Sequence, residues 1–376
     1  TEWNDEYVIT IGEEVHKQEI CDEDEAEAMM LTNLECETLK RFLIQEAAEK
    51  PKVFCKDCSK RQCISCDNLR SKYSEEDQET YKKMWDNVNL IEHKGKTRVK
   101  ATYLYRNPPE ESFSPENSNM KAATSRTDMI INRLIKKDQL KQFQEEIDKK
   151  ITIGCLEQIP EAEIETLLKG VHHFCYLQLV FSENSESTST RMINNTLTGT
   201  PGGTSYSIEN KVPVSEIGDS HESLLNFLLY RFGYSSDISK CYLRVLVDSL
   251  TANLRLMVWY KDPLKKEGLI IYRRNTMDFG DAASALIVRI IQKKFLSPMA
   301  KLEATRHTIM AGGYADNYSY SFETLEEYKA VSKDMNDVHD RIGLPLKATY
   351  CDIKTDPEIL KKLGKEDEEA PCYNFL

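Results

Sequence analysis

Four of the chain's eleven cysteines stand within twelve residues, as Cys55-x2-Cys58-x4-Cys63-x2-Cys66. No other feature restricts the local fold as tightly. Each CxxC turn can present two thiolates to one cation, and four thiolates close a tetrahedral structural zinc site with no open position for catalysis. Lys56, Lys60 and Arg61 partly offset the thiolate charge. Disulfides, an iron–sulfur cluster and free thiols in a loop are the other readings of the same four residues. A folding staple is the favoured role, ahead of a knuckle that touches nucleic acid. The remaining seven cysteines are scattered singly, as reduced thiols are in the cytosol or nucleus.

At 376 residues, 40% of them apolar, the chain can hold two or three domains with real cores. A mean hydropathy of -0.53 and 30% charged residues predict a protein without membrane spans. No run approaches the roughly 18 to 20 apolar residues that a span needs. Thr1 to Asp5 are polar and acidic, so no signal peptide is expected, and Thr in place of Met is expected of an excised segment. The expected location is intracellular: cytoplasm, nucleus or the inside of a particle. A net charge of -12 argues against wrapping nucleic acid over the whole surface, but leaves room for a basic channel on an acidic body.

The patterning predicts five segments. Residues 1–50 are acidic and helical, with a charge run at Asp22 to Glu27 and a helix through Leu39 and Phe42 to Ala48. Residues 51–68 hold the cysteines. Residues 69–168 carry a helix at Tyr73 to Trp85, a strand at Thr97 to Tyr105 and a proline-rich connector at Asn107 to Asn119. One amphipathic helix is then expected from Arg126 to Lys150, begun by Ser125 and Asp128 and stopped at Gly154. Residues 169–350 alternate: loops at Glu183 to Thr190 and Thr196 to Thr204, and a helix from Leu224 to Phe232. Strands follow at Leu243 to Val247, Leu254 to Tyr260 and Leu269 to Tyr272. A helix from Ser284 to Phe295, a tight turn at Gly312-Gly313-Tyr314, and a last helix bearing Tyr328, Val331, Met335, Val338 and Ile342 complete the unit. Residues 351–376 read as a tail. The expected class is α+β, a sheet covered by helices on one side with acids at strand ends.

Two stretches place acids in a chemical context. In Ser236-Asp237-Ile238-Ser239-Lys240-Cys241-Tyr242 an Asp at a strand end precedes an aromatic by five residues. In Tyr314-Ala315-Asp316-Asn317 a second Asp lies between two glycines and a polar-aromatic run. Polynucleotide polymerases use two Mg²⁺ ions about 4 Å apart. Such hard ions want carboxylate oxygens from adjacent strands. Either stretch alone is ordinary surface chemistry.

Together and in this order they resemble the reverse transcriptase of Bel/Pao-type retrotransposon polyproteins. The resemblance covers roughly residues 50 to 350 and implies a fingers-and-palm fold. It makes Asp237 the first catalytic Asp and Tyr242 the aromatic gate beneath the incoming sugar. Tyr314 to Asn317 takes the place of the Tyr-x-Asp-Asp box, so Asp316 is the second acid and Asn317 a neutral third position. Phe279-Gly280-Asp281 is similar to the stretch that touches template and nucleotide. Lys347 and Arg191 are similar to the residues near the triphosphate and in the fingers, with His172-His173 upstream. The four cysteines and the following connector resemble the region between protease and polymerase. The cofactors implied are structural zinc and catalytic Mg²⁺ or Mn²⁺; the partners implied are RNA or DNA, and proteins of a larger assembly. Several departures are visible: Asn317 for Asp, Ala285 where Pro or Gly is common, a short strand before Asp237, and no thumb, RNase H or integrase within the 376 residues. They predict a weakened polymerase that serves as a binding or structural protein, with an active RNA-directed DNA polymerase as the alternative.

Overall fold

The structure, a computed structural model, describes residues 74–181, 190–213, 220–347 and 350–352. Cys55, Cys58, Cys63 and Cys66, the acidic segment 1–50, most of the loop at Glu183 to Thr190 and the tail beyond residue 352 lie outside the described residues.

Helix α1 (Glu75–Asp86) starts where Ser74 Oγ accepts the Asp77 N–H, with three acids in its first turn. That cap satisfies an end-of-helix donor and complements the helix dipole. Tyr81 and Trp85, four residues apart, stack with centroids 6.3 Å apart. Strands β1 (Val88–His93) and β2 (Lys96–Ala101) pair as a hairpin, from Val88 opposite Ala101 to His93 opposite Lys96. Lys94 and Gly95 make its two-residue turn, both left-handed at φ 51° and 72°. The twist of such a turn matches that of the strands it joins. Only the second strand is legible in the sequence, and it stops at Ala101 rather than Tyr105.

The single helix expected from Arg126 to Lys150 is two: α2 (Met120–Lys136) and α3 (Leu140–Thr152). The chain turns at Asp138, which is left-handed at φ 55°. No glycine or proline marks the break, and Lys137, Asp138 and Gln139 all tolerate a helix, so periodicity carries straight across it. Ser125 and Asp128 therefore sit inside α2 rather than at its start.

Short β3 (Leu156–Gln158) and α4 (Glu161–Lys169) lead to the β4–β5 hairpin (Tyr176–Phe181 and Thr190–Asn195). Next come α5 (Ser220–Leu228) and β6 (Phe232–Asp237), so Phe232 opens a strand instead of closing a helix. Where one strand was expected at 243–247, a 3₁₀ turn (Tyr242–Arg244) precedes the two-residue β7 (Leu246–Val247). Asp248 caps α6 (Ser249–Asn253), which delays β8 (Met257–Asp262) by three residues. β9 (Glu267–Arg274) pairs with β8 and with β3.

Sheet β3-β9-β8 is buried on both faces. Trp259 and Tyr272 pack with Phe143, Ile147 and Ile131 on one side. Val258 and Ile271 pack with Phe174, Ile159 and Leu167 on the other. Phe143 and Trp259 have ring centroids 4.9 Å apart, and Trp259 Nε1 donates to Gln144 Oε1 at 2.9 Å. Two-sided cover explains why β8 reads as an apolar run.

Helix α7 (Ser284–Ile291) continues into a π-helical turn (Gln292–Leu296), and α8 (Glu303–Ala311) ends at Gly312. β10 (Gly313–Tyr314), β11 (Asn317–Phe322), α9 (Leu325–Arg341) and β12 (Tyr350–Asp352) finish the order. The largest sheet runs β10-β11-β6-β12, every neighbour antiparallel. Tyr234, Tyr318 and Phe322 from this sheet share a core with Tyr328, Val331, Met335 and Val338 of α9. The class is α+β, with small sheets rather than one. No helix among the described residues is long and apolar enough to cross a membrane.

His172 and His173 are structural in this setting. His172 Nε2 lies 2.7 Å from Ser118 Oγ, and its Nδ1 lies 2.8 Å from Gly170 O. His173 Nε2 lies 2.8 Å from Thr198 O, and its Nδ1 lies 3.2 Å from Leu254 O and 3.6 Å from Cys175 Sγ. Burial pulls His173 and His339 down from 6.5 to about 4. The unfolded chain takes up protons near pH 6.5, but the native chain does not until about pH 4. Stability is therefore complete above pH 6.5 and is lost as pH falls toward 4, by up to about 1.4 kcal/mol per pH unit for each histidine. The urea midpoint is expected to fall between pH 7 and pH 5. An unchanged midpoint would contradict neutral, buried histidines.

Candidate two-acid centre

Asp237 closes β6, and its register partner on β11 is Asn317. Directly paired residues of antiparallel strands have Cα atoms about 4.5–5.5 Å apart. One residue earlier, Asp316 O accepts the Ile238 N–H at 2.9 Å, so the two acid-bearing segments are stitched together at the level of the acids. Strand β6 runs six residues, Phe232–Asp237, and is paired on both edges.

The reversal itself is at Ala315-Asp316, since Tyr314 already pairs with Asn317. Ala315 is left-handed at φ 49°. For a non-glycine residue that costs on the order of 1–2 kcal/mol, and such outliers cluster at functional sites. Gln292, in the π-helical turn, props the reversal by donating from Nε2 to Ala315 O at 3.0 Å. Arg289 holds Gln292 in turn, through Nη1 to Oε1 at 3.0 Å. The two glycines serve the approach to this turn. A Cβ at Gly312 would lie 2.7 Å from Ser319 O, and one at Gly313 would lie 2.6 Å from Ile309 O.

Lys347 is bound to the same centre twice. Its N–H donates to Asp237 O at 2.7 Å, and its Nζ forms an ion pair with Asp237 Oδ2. Asp237 Oδ1 is buried with no hydrogen-bond partner among the described residues. Cys241 and Tyr242 register both carboxylates: burial pushes their pKa values up first, and Asp316 and Asp237 push them further. The negative potentials of the two acids thus overlap at the start of the 3₁₀ turn.

Phe279 closes one side, edge-on to Tyr242 with centroids 5.0 Å apart. Gly280 follows at φ 97°, and its carbonyl accepts from Thr196 Oγ1 at 2.9 Å. Beneath them lies a buried charge group that sequence reading missed. Asp281 is ion-paired with Arg255, accepts from Tyr103 OH at 3.0 Å and takes the Asp278 N–H at 3.2 Å. Asp278 is ion-paired with Arg274 and lies 3.3 Å from Lys150 Nζ. Asp278 Oδ1 also accepts the Phe279 N–H at 2.9 Å, so the pairing fixes the backbone that presents Phe279. The sequence signal was charge set among apolar residues, at Arg255 just before β8 and at Arg274 at the end of β9.

The centre brings together Asp237, Asp316, Asn317, Lys347, Tyr242, Phe279 and Gly280. Arg191 lies on β5, paired with Val180, in the other hairpin. Asp237 Oδ1, a buried acceptor without a partner, is a donor atom that a divalent cation could take, and Asp316 is joined to the next residue, Ile238, through its backbone carbonyl. Lys347 and the neutral Asn317 reduce the attraction. Among the described residues no group of three or more His, Cys, Asp or Glu converges on a point. No protein-family model matches this chain, and no curated protein matches it.

Proposed function

We propose that the chain is a retrotransposon-derived, reverse-transcriptase-like protein of the Bel/Pao type, whose palm binds a divalent cation and nucleic acid but is impaired in synthesis. The observation that carries this reading is the pairing of Asp237 with Asn317 across β6 and β11, with Asp316 one residue away. Acids 79 residues apart in the chain meet at one strand end, in the order that the resemblance requires. Phe279 and Tyr242 together form the aromatic wall that a sugar or base would stack on. Structural zinc at Cys55, Cys58, Cys63 and Cys66 belongs to the same proposal, as does Arg191 in the fingers.

Impairment follows from charge. A site for two Mg²⁺ ions needs carboxylates that outweigh their mutual repulsion. Here two acids remain, and Lys347 neutralises one of them. The second reading is an active RNA-directed DNA polymerase that uses Asp237 and Asp316.

Mn²⁺ titration and primer extension on poly(rA)/oligo(dT) test both readings. The wild-type chain is expected to bind Mn²⁺ weakly, to lose it with Asp237→Asn, and to extend no primer. Binding that survives Asp237→Asn would refute the palm reading. Synthesis at an ordinary rate of about 1 to 100 s⁻¹ would replace impairment with the active enzyme.

A further inference from the structure

The chain has 62 acidic residues among 376, yet residues 93–109 contain none. That run covers the β1–β2 turn and the whole of β2, and bears Lys94, Lys96, Arg98, Lys100 and Arg106. Within β2, Val99 and Ala101 are fully buried, so alternation brings Lys96, Arg98 and Lys100 out on the opposite face. Glu92, the nearest acid along the chain, is engaged by Thr97 Oγ1 at 2.8 Å. None of Lys94, Lys96, Arg98 and Lys100 forms an ion pair among the described residues.

Arg244 extends the stripe toward the acid centre. Its Nε donates to Ser239 O at 2.7 Å, two residues past Asp237. Arg98 Nη1 donates to Gly343 O at 3.1 Å. The loops that hold the two guanidiniums are themselves joined, Ser239 N–H to Pro345 O at 2.9 Å. Backbone carbonyls thus anchor like charges close enough to be felt: burial first, and then Arg98, lowers the Arg244 pKa, with Asp340 opposing. Alternate residues of a strand are about 6.7 Å apart, roughly two of the 3.4 Å steps between nucleotides along one stacked strand.

We propose that Lys96, Arg98, Lys100 and Arg244 bind the phosphate backbone of a single-stranded RNA and lead it toward Asp237. The inference rests on the reading above only for the choice of polymer; the metal site plays no part in it. The contacts are to phosphate, so binding is independent of sequence and falls with salt.

The test is fluorescence anisotropy with a labelled 20-nucleotide oligouridylate between 50 and 200 mM NaCl. Each phosphate contact contributes about 0.7 to the slope of log K against log salt for a single strand. The triple variant Lys96→Gln/Arg98→Gln/Lys100→Gln is expected to lower that slope by about 2 and weaken binding at least tenfold at 50 mM. Its counterpart Lys82→Gln/Lys121→Gln/Lys329→Gln, which removes three exposed helix lysines, is expected to bind nearly as the wild type does. Lys96→Glu alone, at an exposed position, gives the same direction should the triple variant fail to fold. The inference is overturned if the wild type does not bind the RNA, if the hairpin variants keep its slope, or if the helix variant loses as much. Mn²⁺ binding read on the same samples separates this outcome from failure at Asp237: the hairpin variants are expected to leave it unchanged.

Discussion

Arg255→Met is expected to destabilise the chain by about 3–5 kcal/mol, the largest effect of any single substitution considered. Arg255 and Asp281 side chains are both fully buried, and the ion pair is the main charge partner of each. Methionine fills most of the volume but leaves a buried carboxylate whose counter-charge has gone, and breaking such a pair from one side costs about that much. The remaining donors, Tyr103 OH and the Asp278 N–H, cannot supply a positive charge. For a unit of this size the melting temperature should drop by on the order of 10 °C. The double variant Arg255→Met/Asp281→Leu should recover much of the loss, because an apolar pair needs no desolvation of charge. Thermal unfolding of both variants decides the matter. Should the single variant melt with the wild type, Asp281 is not held by Arg255 and the buried group does not support the Phe279 loop.

Asn317→Asp is expected to tighten Mn²⁺ binding at least tenfold. The exchange is nearly isosteric, and Asn317 lies opposite Asp237, so the new carboxylate joins the two acids already there. Unit charges about 4 Å apart attract by about 4 kcal/mol at an effective dielectric constant of 20, whereas tenfold in affinity needs only about 1.4 kcal/mol. The position is exposed, which permits the substitution and moderates the gain. Lys347 remains paired with Asp237, so restored charge need not bring restored synthesis. Titration by Mn²⁺ relaxation enhancement reads the change directly. Equal affinity in the two proteins would show that position 317 does not face the cation.

These two expectations draw on different kinds of information. The acids at 237 and 316 and the neutral Asn317 are legible in the chain, because motif order and spacing survive in one dimension. Arg255 is not, and Asp281, legible as part of Phe279-Gly280-Asp281, proves to be buried against it. Their pairing joins residues 26 apart in a setting whose burial arises only when Tyr103 and Tyr206 close over it. A charged residue in a strand reads as surface until something covers it.

Features that depend on near neighbours were already legible in the order of the residues. Helices α1 and α9 follow from their caps and composition, and α7 from its apolar spacing, since those interactions span three or four residues. The positions of the candidate acids and of the four cysteines are likewise properties of the chain. Tertiary structure alone decided the rest. Asp138 adopts its left-handed turn and splits α2 from α3, because Phe143 and Ile147 must reach Trp259. Lys347 pairs with an acid 110 residues away, and β11 sets Asn317 against Asp237, because burial of Tyr318 and Phe322 fixes the register. A one-residue slip would turn every side chain of β11 to the other face. Such long-range contacts leave no period in the sequence; packing selects them.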